Sequence, residues 1–200
     1  MIKKYINWII TIALIVGGYG IYHLLTNNIE PSMTVHISAD YPHYTSIGDL
    51  ASRSSNIVRG IILDERVEML NIRLEPANSL EETGGDFQEG EGYFATTIYR
   101  FEILESYKGD SVPGDIIEIK QMGGEYGNLS FISDDFVSFS INDDLILFLN
   151  EFGTLMSPIQ SAFYYNSETR ARAGGFESVD PNNTLTLTQF DLDDIRDMFE

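Results

Sequence analysis

Oxygen-bearing side chains near the C-terminus recur at the spacing of a calcium-binding loop. Asp180, Asn182, Thr184 and Asp191 occupy four of the positions from which an EF-hand loop binds its ion. Leu185 stands where that loop needs a glycine, and Asp191 replaces its bidentate glutamate. The pattern leaves Asp180, Asn182 and Asp191 as candidates for a calcium site, and no other cofactor is predicted. The alternative reading is structural, with a turn followed by the acidic first turn of a helix.

Covalent catalysis has little support in the sequence. Nucleophilic catalysis needs a base beside an activated serine, threonine or cysteine. The chain has no cysteine, and its three histidines, His23, His36 and His43, all precede the predicted domain. It contains no Gly-x-Ser-x-Gly elbow, no HExxH pair and no phosphate-binding loop. We therefore predict no catalytic residue, although the many acidic residues leave the carboxylate pair of a hydrolase open as an alternative.

Tyrosines offer a different chemistry, because a β-rich face that carries them can bind a peptide or a sugar by stacking. Core packing and cross-strand pairing account for the same residues equally well. The tyrosines concerned are Tyr41, Tyr44, Tyr93, Tyr99, Tyr107, Tyr126, Tyr164 and Tyr165.

The charge of the chain limits its partners. The net charge is −19, and without Lys3 and Lys4 the remainder has 10 basic against 31 acidic residues, a net charge of −21. Such a field disfavours nucleic acids and anionic membrane surfaces, which bind clusters of lysine and arginine. We predict no nucleic-acid partner and favour a basic partner or a cation. The alternative is that the acidity only keeps the domain soluble.

The N-terminus has the pattern of a membrane anchor. An uncharged stretch of about 21 residues runs from Tyr5 to Leu25, long enough as a helix to cross the roughly 30 Å core of a bilayer. Lys3 and Lys4 precede it, and no lysine or arginine follows before Arg53, which favours a cytoplasmic N-terminus and an extracytoplasmic remainder at the cell membrane. We predict a transmembrane signal anchor over residues 1–26, which includes Tyr5, Trp8, Leu14 and Leu25. A secretory signal cleaved after Gly20 is the alternative.

The remainder is predicted to be a stalk over residues 27–44 and one domain over residues 45–200. Within the domain, residues 75–92 form a glycine-rich acidic loop, and residues 189–199 form a C-terminal helix. Alternating or continuous apolar runs predict several short strands, one of them bent at Gly60. The main strands are expected at 57–63, 93–107, 116–122 and 145–149. We predict a mainly β fold with short flanking helices.

Several segments together resemble a group of exported bacterial domains. The segments are Ile57 to Ile62, Tyr99 to Asp110, Gly114 to Ile117, Gly123-Gly124 and Asp144 to Leu149. The domains they resemble look like small OB-type barrels, similar in shape to the netrin and metalloproteinase-inhibitor modules. The resemblance spans about Ile57 to Tyr165 and implies a fold and a surface location, without any catalytic residue. The inhibitors place an N-terminal cysteine on the protease zinc, and this chain has no cysteine.

The sequence thus predicts a membrane-tethered extracytoplasmic module with an OB-like barrel that binds an exported protein or another basic partner and has no catalytic activity. One alternative is a cation-dependent or inhibitor-like regulator of exported proteases. A further alternative is a hydrolase without a familiar motif.

Overall fold

A computed structural model describes residues 33–71, 92–165 and 175–199 of the chain. The predicted anchor over 1–26, with Tyr5, Trp8, Leu14 and Leu25, lies outside these residues, as does the acidic loop 75–92 apart from Gly92. No helix in the described part of the chain has the length and apolar character needed to cross a membrane.

The described residues form nine strands and two helices, so the prediction of a mainly β fold is confirmed. The strands are β1 (Met33–Ile37), β2 (Asn56–Asn71), β3 (Tyr93–Lys108), β4 (Ile116–Met122), β5 (Gly124–Tyr126), β6 (Leu129–Ser133), β7 (Asp144–Leu149), β8 (Ala162–Tyr164) and β9 (Glu177–Ser178). The helices are α1 (Ile47–Arg53) and α2 (Gln189–Phe199).

Six strands form the main sheet in the order β4-β3-β2-β7-β8-β9, with every neighbouring pair antiparallel. Its longest strands are the neighbours β2 and β3, each 16 residues long. The register between them shifts at Arg59/Gly60, close to the bend that the sequence predicts. A Cβ at Gly60 would collide with the Glu102 carbonyl oxygen and lie 2.7 Å from the Phe101 ring. Glycine is required at this bend because the neighbouring strand passes too close for any side chain.

The smaller sheet has the order β1-β6-β5, and β1 pairs with β6 in parallel from Met33 opposite Leu129 to Ile37 opposite Ser133. β1 belongs to the segment for which the sequence predicts a stalk. Tyr44, at the end of that segment, is buried in the core. The described part of the segment therefore packs on the domain.

Strand β7 supports both faces of the main sheet. Its five residues from Leu145 to Leu149 are completely buried, as their continuous apolar run predicts. Ile146 and Phe148 belong to the core beneath α1 and α2, and the three leucines belong to the core on the opposite face. Burial on both faces explains why this strand has no polar alternation.

Both helices begin with a side-chain cap. The Ser46 hydroxyl accepts a hydrogen bond from the Asp49 backbone N–H at 3.1 Å, as the sequence pattern before α1 predicts. At α2 the Thr188 backbone N–H donates to the Asp191 carboxylate at 2.7 Å, and the Asp191 N–H donates back to the Thr188 hydroxyl at 3.3 Å. These caps fix the direction in which each helix crosses the sheet.

Both sheets are open in their strand order over the described residues, with β4 and β9 as the outer strands of the larger one. Two isolated bridges join strands across the fold. Thr154 pairs with Lys120 on the outer edge of β4, and Leu155 pairs with Leu149 at the end of β7. The chain that follows β7 therefore contacts both strands.

Candidate functional site

A surface groove lies where the outer end of β4 meets three loops. It consists of two adjoining cavities, each about 650 Å³ including space open to solvent, and both are lined by Tyr41 and Asp135. The lining of the first cavity also includes Lys120, Met122, Phe136, Leu155 and Pro158. The lining of the second includes Asp40, Pro42, His43, Ser157 and Thr184. An open concavity with apolar walls and a few polar groups is typical of a binding site.

One wall of the groove, residues 39–43, is held by a single buried glutamine. The Tyr44 backbone N–H donates to the Gln160 Oε1 at 2.8 Å, and the Gln160 Nε2 donates to the Tyr44 carbonyl at 3.0 Å. The amide side chain thus pairs with the backbone as a neighbouring strand would. Gln160 is only 3% exposed, so these two bonds are largely shielded from solvent.

The opposite wall is held in the same way. The Gln121 Nε2 donates to the Val137 carbonyl at 2.9 Å, and the Val137 N–H donates to the Gln121 Oε1 at 3.2 Å. Gln121 lies on β4 and is 6% exposed. It fixes the loop that carries Asp135 and Phe136 against the end of the sheet, so both walls are attached to rigid elements.

An exposed aromatic side chain stands beside the groove. Phe152 is 65% exposed at the tip of the turn between β7 and Thr154. The Asn150 Oδ1 accepts hydrogen bonds from the Phe152 N–H at 2.9 Å and from the Thr154 N–H at 3.1 Å. The Lys120 N–H donates to the Gly153 carbonyl at 3.1 Å and ties the turn to β4. Phe152 is therefore presented to solvent by a well-supported turn.

Burial and the negative charge of Asp135 raise the pKa of Tyr41 above its ordinary value. Both effects disfavour the phenolate form of Tyr41. The groove thus contains a neutral hydrogen-bonding ring beside a negative charge.

A second group of interacting side chains lies between β2, β3, β7 and α2. Arg59 makes two hydrogen bonds to Asp144, at 2.9 and 2.7 Å, and one to Glu105 at 2.6 Å, and its guanidinium stacks on the Tyr165 ring. Burial lowers the pKa of Arg59, but the bonds to the two carboxylates outweigh it, so that the pKa lies above its ordinary value. Arg196 also contacts Glu105, at 3.4 Å. This arrangement fixes the helix to the sheet through Arg196 and Glu105.

The calcium candidates Asp180, Asn182 and Asp191 have separate places in the structure. Asp180 accepts the Asn182 backbone N–H at 2.7 Å in a turn, Asp191 caps α2, and Asn182 lines the second cavity of the groove. Over the described residues, no three acidic or histidine side chains come together as a metal-binding group. Asp180 and Asp191 thus have structural contacts of the kind that the alternative reading predicts.

His36 lies on β1 and His43 lines the second cavity, while His23 is outside the described residues. Ser157 lines the same cavity, but its backbone N–H donates within its own turn, to the Ser161 hydroxyl at 2.8 Å. His43 and Ser157 are therefore neighbours in the groove without being joined as a base and a nucleophile.

Sequence reasoning did not find the groove. Its polar residues come from segments that are distant in the chain, and Tyr44 and Gln160 are 116 positions apart. Three of its residues, Tyr41, His43 and Asn182, are conspicuous in the sequence, but for unrelated reasons. In comparisons with known proteins, no protein family and no curated protein matches this chain.

Proposed function

We propose that this chain is a membrane-tethered extracytoplasmic module that binds an exported protein and has no catalytic activity of its own. The groove is the observation that carries this proposal. Two loops form its walls, and each is held by a buried glutamine, one by Gln121 of β4 and the other by Gln160 in the turn before β8. A preformed site of this kind loses little conformational entropy when it binds a partner.

The rim of the groove favours a protein over a small molecule. Large apolar side chains at exposed positions lower the solubility of a protein. Side chains that anchor protein interfaces are often aromatic. Phe152 is an exposed aromatic side chain on the turn that leads to Thr154 and Leu155, and both of these residues line the groove. A protein segment that lies in the groove can cover Phe152 at the same time.

The proposal includes a strongly curled sheet of the OB type. The bridges from Thr154 to Lys120 and from Leu155 to Leu149 support it, because they bring the chain after β7 against the outer edge of β4. OB-type barrels use one face and the surrounding loops to bind extended ligands. The groove, which is formed by β4 and neighbouring loops, has a comparable place in the fold.

The proposed anchor sets the distance between the groove and the membrane. If the anchor ends near residue 26, six residues separate it from β1, and they can span at most about 21 Å. The groove wall at 39–43 follows β1 directly. A partner bound there is therefore an exported protein that reaches the membrane surface.

The test is in-cell crosslinking from defined positions of the full chain. A photoreactive phenylalanine analogue replaces Phe152 in one variant and Val112 in the other. Val112 is the matched control because it is also apolar and is 56% exposed, and it lies beyond the opposite end of β4. The four steps along β4 from Ile116 to Lys120, whose N–H is bonded to the turn of Phe152, correspond to about 14 Å.

We expect position 152, and not position 112, to capture one exported protein that then binds the purified full chain. Equal capture from both positions, or capture of nothing specific from position 152, would contradict the proposal.

A further inference from the structure

Two acidic side chains of the groove, Asp40 and Asp135, form no salt bridge among the described residues, which is also true of many carboxylates elsewhere in the domain. All five described arginines form salt bridges with carboxylates outside the groove. Lys120 is the one lysine or arginine among the groove residues; it lines the first cavity with Asp135, whereas Asp40 lines only the second. The groove residues therefore carry two carboxylates against one ammonium group.

The ring of Tyr41 lies beside these carboxylates. Tyr41 lines both cavities, as Asp135 does, and it is next to Asp40 in the chain. A cation above an aromatic ring is attracted to the face of that ring, and more strongly where water is removed. A carboxylate at the same place adds a charge-assisted hydrogen bond. Together these groups favour an occupant that is both positively charged and flat.

Arginine has these properties and lysine has only the charge. Its guanidinium is planar, stacks on aromatic rings and presents paired N–H groups to a carboxylate. The apolar groove residues Phe136, Leu155 and Pro158 can cover the aliphatic stem and the neighbouring side chains of the segment. The excess of acidic residues over the whole chain attracts such a segment from a distance.

We propose that the groove binds an arginine side chain in an extended segment of an exported protein, with its guanidinium between the Asp135 carboxylate and the Tyr41 ring. This inference rests on the proposed function, since it names the chemistry of the partner that the groove accepts. Asp40 contributes a second negative charge on the side of the other cavity.

The test compares two peptides that differ in one charge. Fluorescein-labelled Ala-Leu-Arg-Leu-Ala is titrated with the detergent-solubilised full chain, and the same peptide with citrulline in place of arginine is the neutral control. Fluorescence anisotropy gives both dissociation constants. We expect the arginine peptide to bind at least tenfold more tightly, and we expect its affinity to fall as salt is added.

Two variants separate the groove from the general acidity of the domain. Asp135→Asn removes the groove carboxylate, whereas Asp134→Asn removes an equal charge from the adjacent exposed position, which does not line either cavity. We expect Asp135→Asn to abolish the preference for arginine and Asp134→Asn to retain it. Equal affinity for the two peptides, or equal effects of the two variants, would overturn the inference. The inference would also be overturned if the arginine peptide did not bind at about 1 mM of the full chain, since a Kd of that size corresponds to a binding free energy of only about 4 kcal/mol.

The outcome of the crosslinking experiment shows which proposal has failed. If position 152 captures a specific partner but the arginine preference is absent, the arginine inference is wrong and the binding module stands. If the preference is present but position 152 captures nothing, the groove binds arginine and the proposed exported-protein partner is wrong. If both results are negative, both proposals are wrong.

Discussion

The groove depends on two glutamines that replace missing strand neighbours. Backbone N–H and C=O groups that are buried without a partner cost about as much as a lost hydrogen bond. At Tyr44 and Val137 both groups are paired by one primary amide, from Gln160 and Gln121 respectively. A loop can therefore pass through a buried position without belonging to a sheet.

Replacement of Gln160 by alanine should destabilise the domain by about 2 kcal/mol, because both the N–H and the carbonyl of Tyr44 lose their partner. Gln189→Ala is the control, since the Gln189 Nε2 donates to the Asp193 carboxylate at 2.7 Å on the exposed surface of α2. It should cost less than about 0.5 kcal/mol. Urea unfolding of the full chain measures both. Similar losses for the two variants would show that Gln160 does not hold the groove wall.

Tyr107 makes the stability of the domain sensitive to alkaline pH. It is 4% exposed, and burial and the nearby Glu105 raise its pKa well above the ordinary value of 10.0. Below about pH 10 both the folded and the unfolded chain keep this proton. Above it the unfolded chain loses the proton first and so binds fewer protons than the folded chain. Stability should therefore fall as the pH rises from about 10.

Tyr107→Phe should make this fall less steep, by up to about 1.4 kcal/mol per pH unit. The control is Tyr126→Phe at an exposed position, which should leave the slope unchanged. The measurement is the urea midpoint between about pH 9 and 11. An unchanged slope in Tyr107→Phe would mean that this phenol is not the titrating group. Part of the slope should persist in either case, because burial also raises the pKa of Tyr44, Tyr99 and Tyr164.

At the scale of elements, the sequence predicts best where local pattern and long-range packing agree. The run Leu145 to Leu149 can only be a strand buried on both faces, and the apolar spacing of α2 indicates a helix whether or not its partner is known. Strand β1 was missed because it is short, largely exposed and pairs with a strand nearly a hundred residues away. Its composition carries no signal of that pairing.

Strand β7 offers a matched pair of phenylalanines for testing the core. Phe148 is completely buried and packs edge-on against Phe163 with ring centroids 6.0 Å apart, whereas Phe152 lies in the following turn and is mostly exposed. Phe148→Ala should cost about 3 to 5 kcal/mol, since it leaves a cavity between the sheet and the helices. Phe152→Ala should change the free energy of unfolding by less than about 0.5 kcal/mol. A large loss in Phe152→Ala would show that this side chain supports the fold.

The bend in β2 can be tested with two glycines. Gly60→Ala should destabilise the domain by more than about 2 kcal/mol, because its Cβ would press on the Glu102 backbone and the Phe101 ring. Gly48→Ala lies in α1, where the nearest atom to a new Cβ is the Ser46 Oγ at 3.9 Å. It should stabilise the domain by up to about 1 kcal/mol. Thermal unfolding of both variants gives the comparison, and a neutral Gly60→Ala would mean that β2 and β3 can separate at the bend.

At the scale of the whole molecule, the sequence predicts the net charge and an expected location, but it does not predict the binding groove. The acidic surface and the apolar N-terminus are sums over many residues, so they predict a class of partner and a proposed location without any structure. The groove brings together residues from 39–43, β4, the loop at 133–136 and the turn at 154–160. No local pattern connects these segments, which are distant in the chain.

The central claim is that this groove is the surface used for binding. Hydrogen–deuterium exchange of the full chain in detergent, with and without the purified protein captured from position 152, tests it most directly. The account predicts slower exchange in residues 39–43 and 152–158, with no change in helices α1 and α2. Protection confined to the two helices, or no protection in either groove segment, would contradict it.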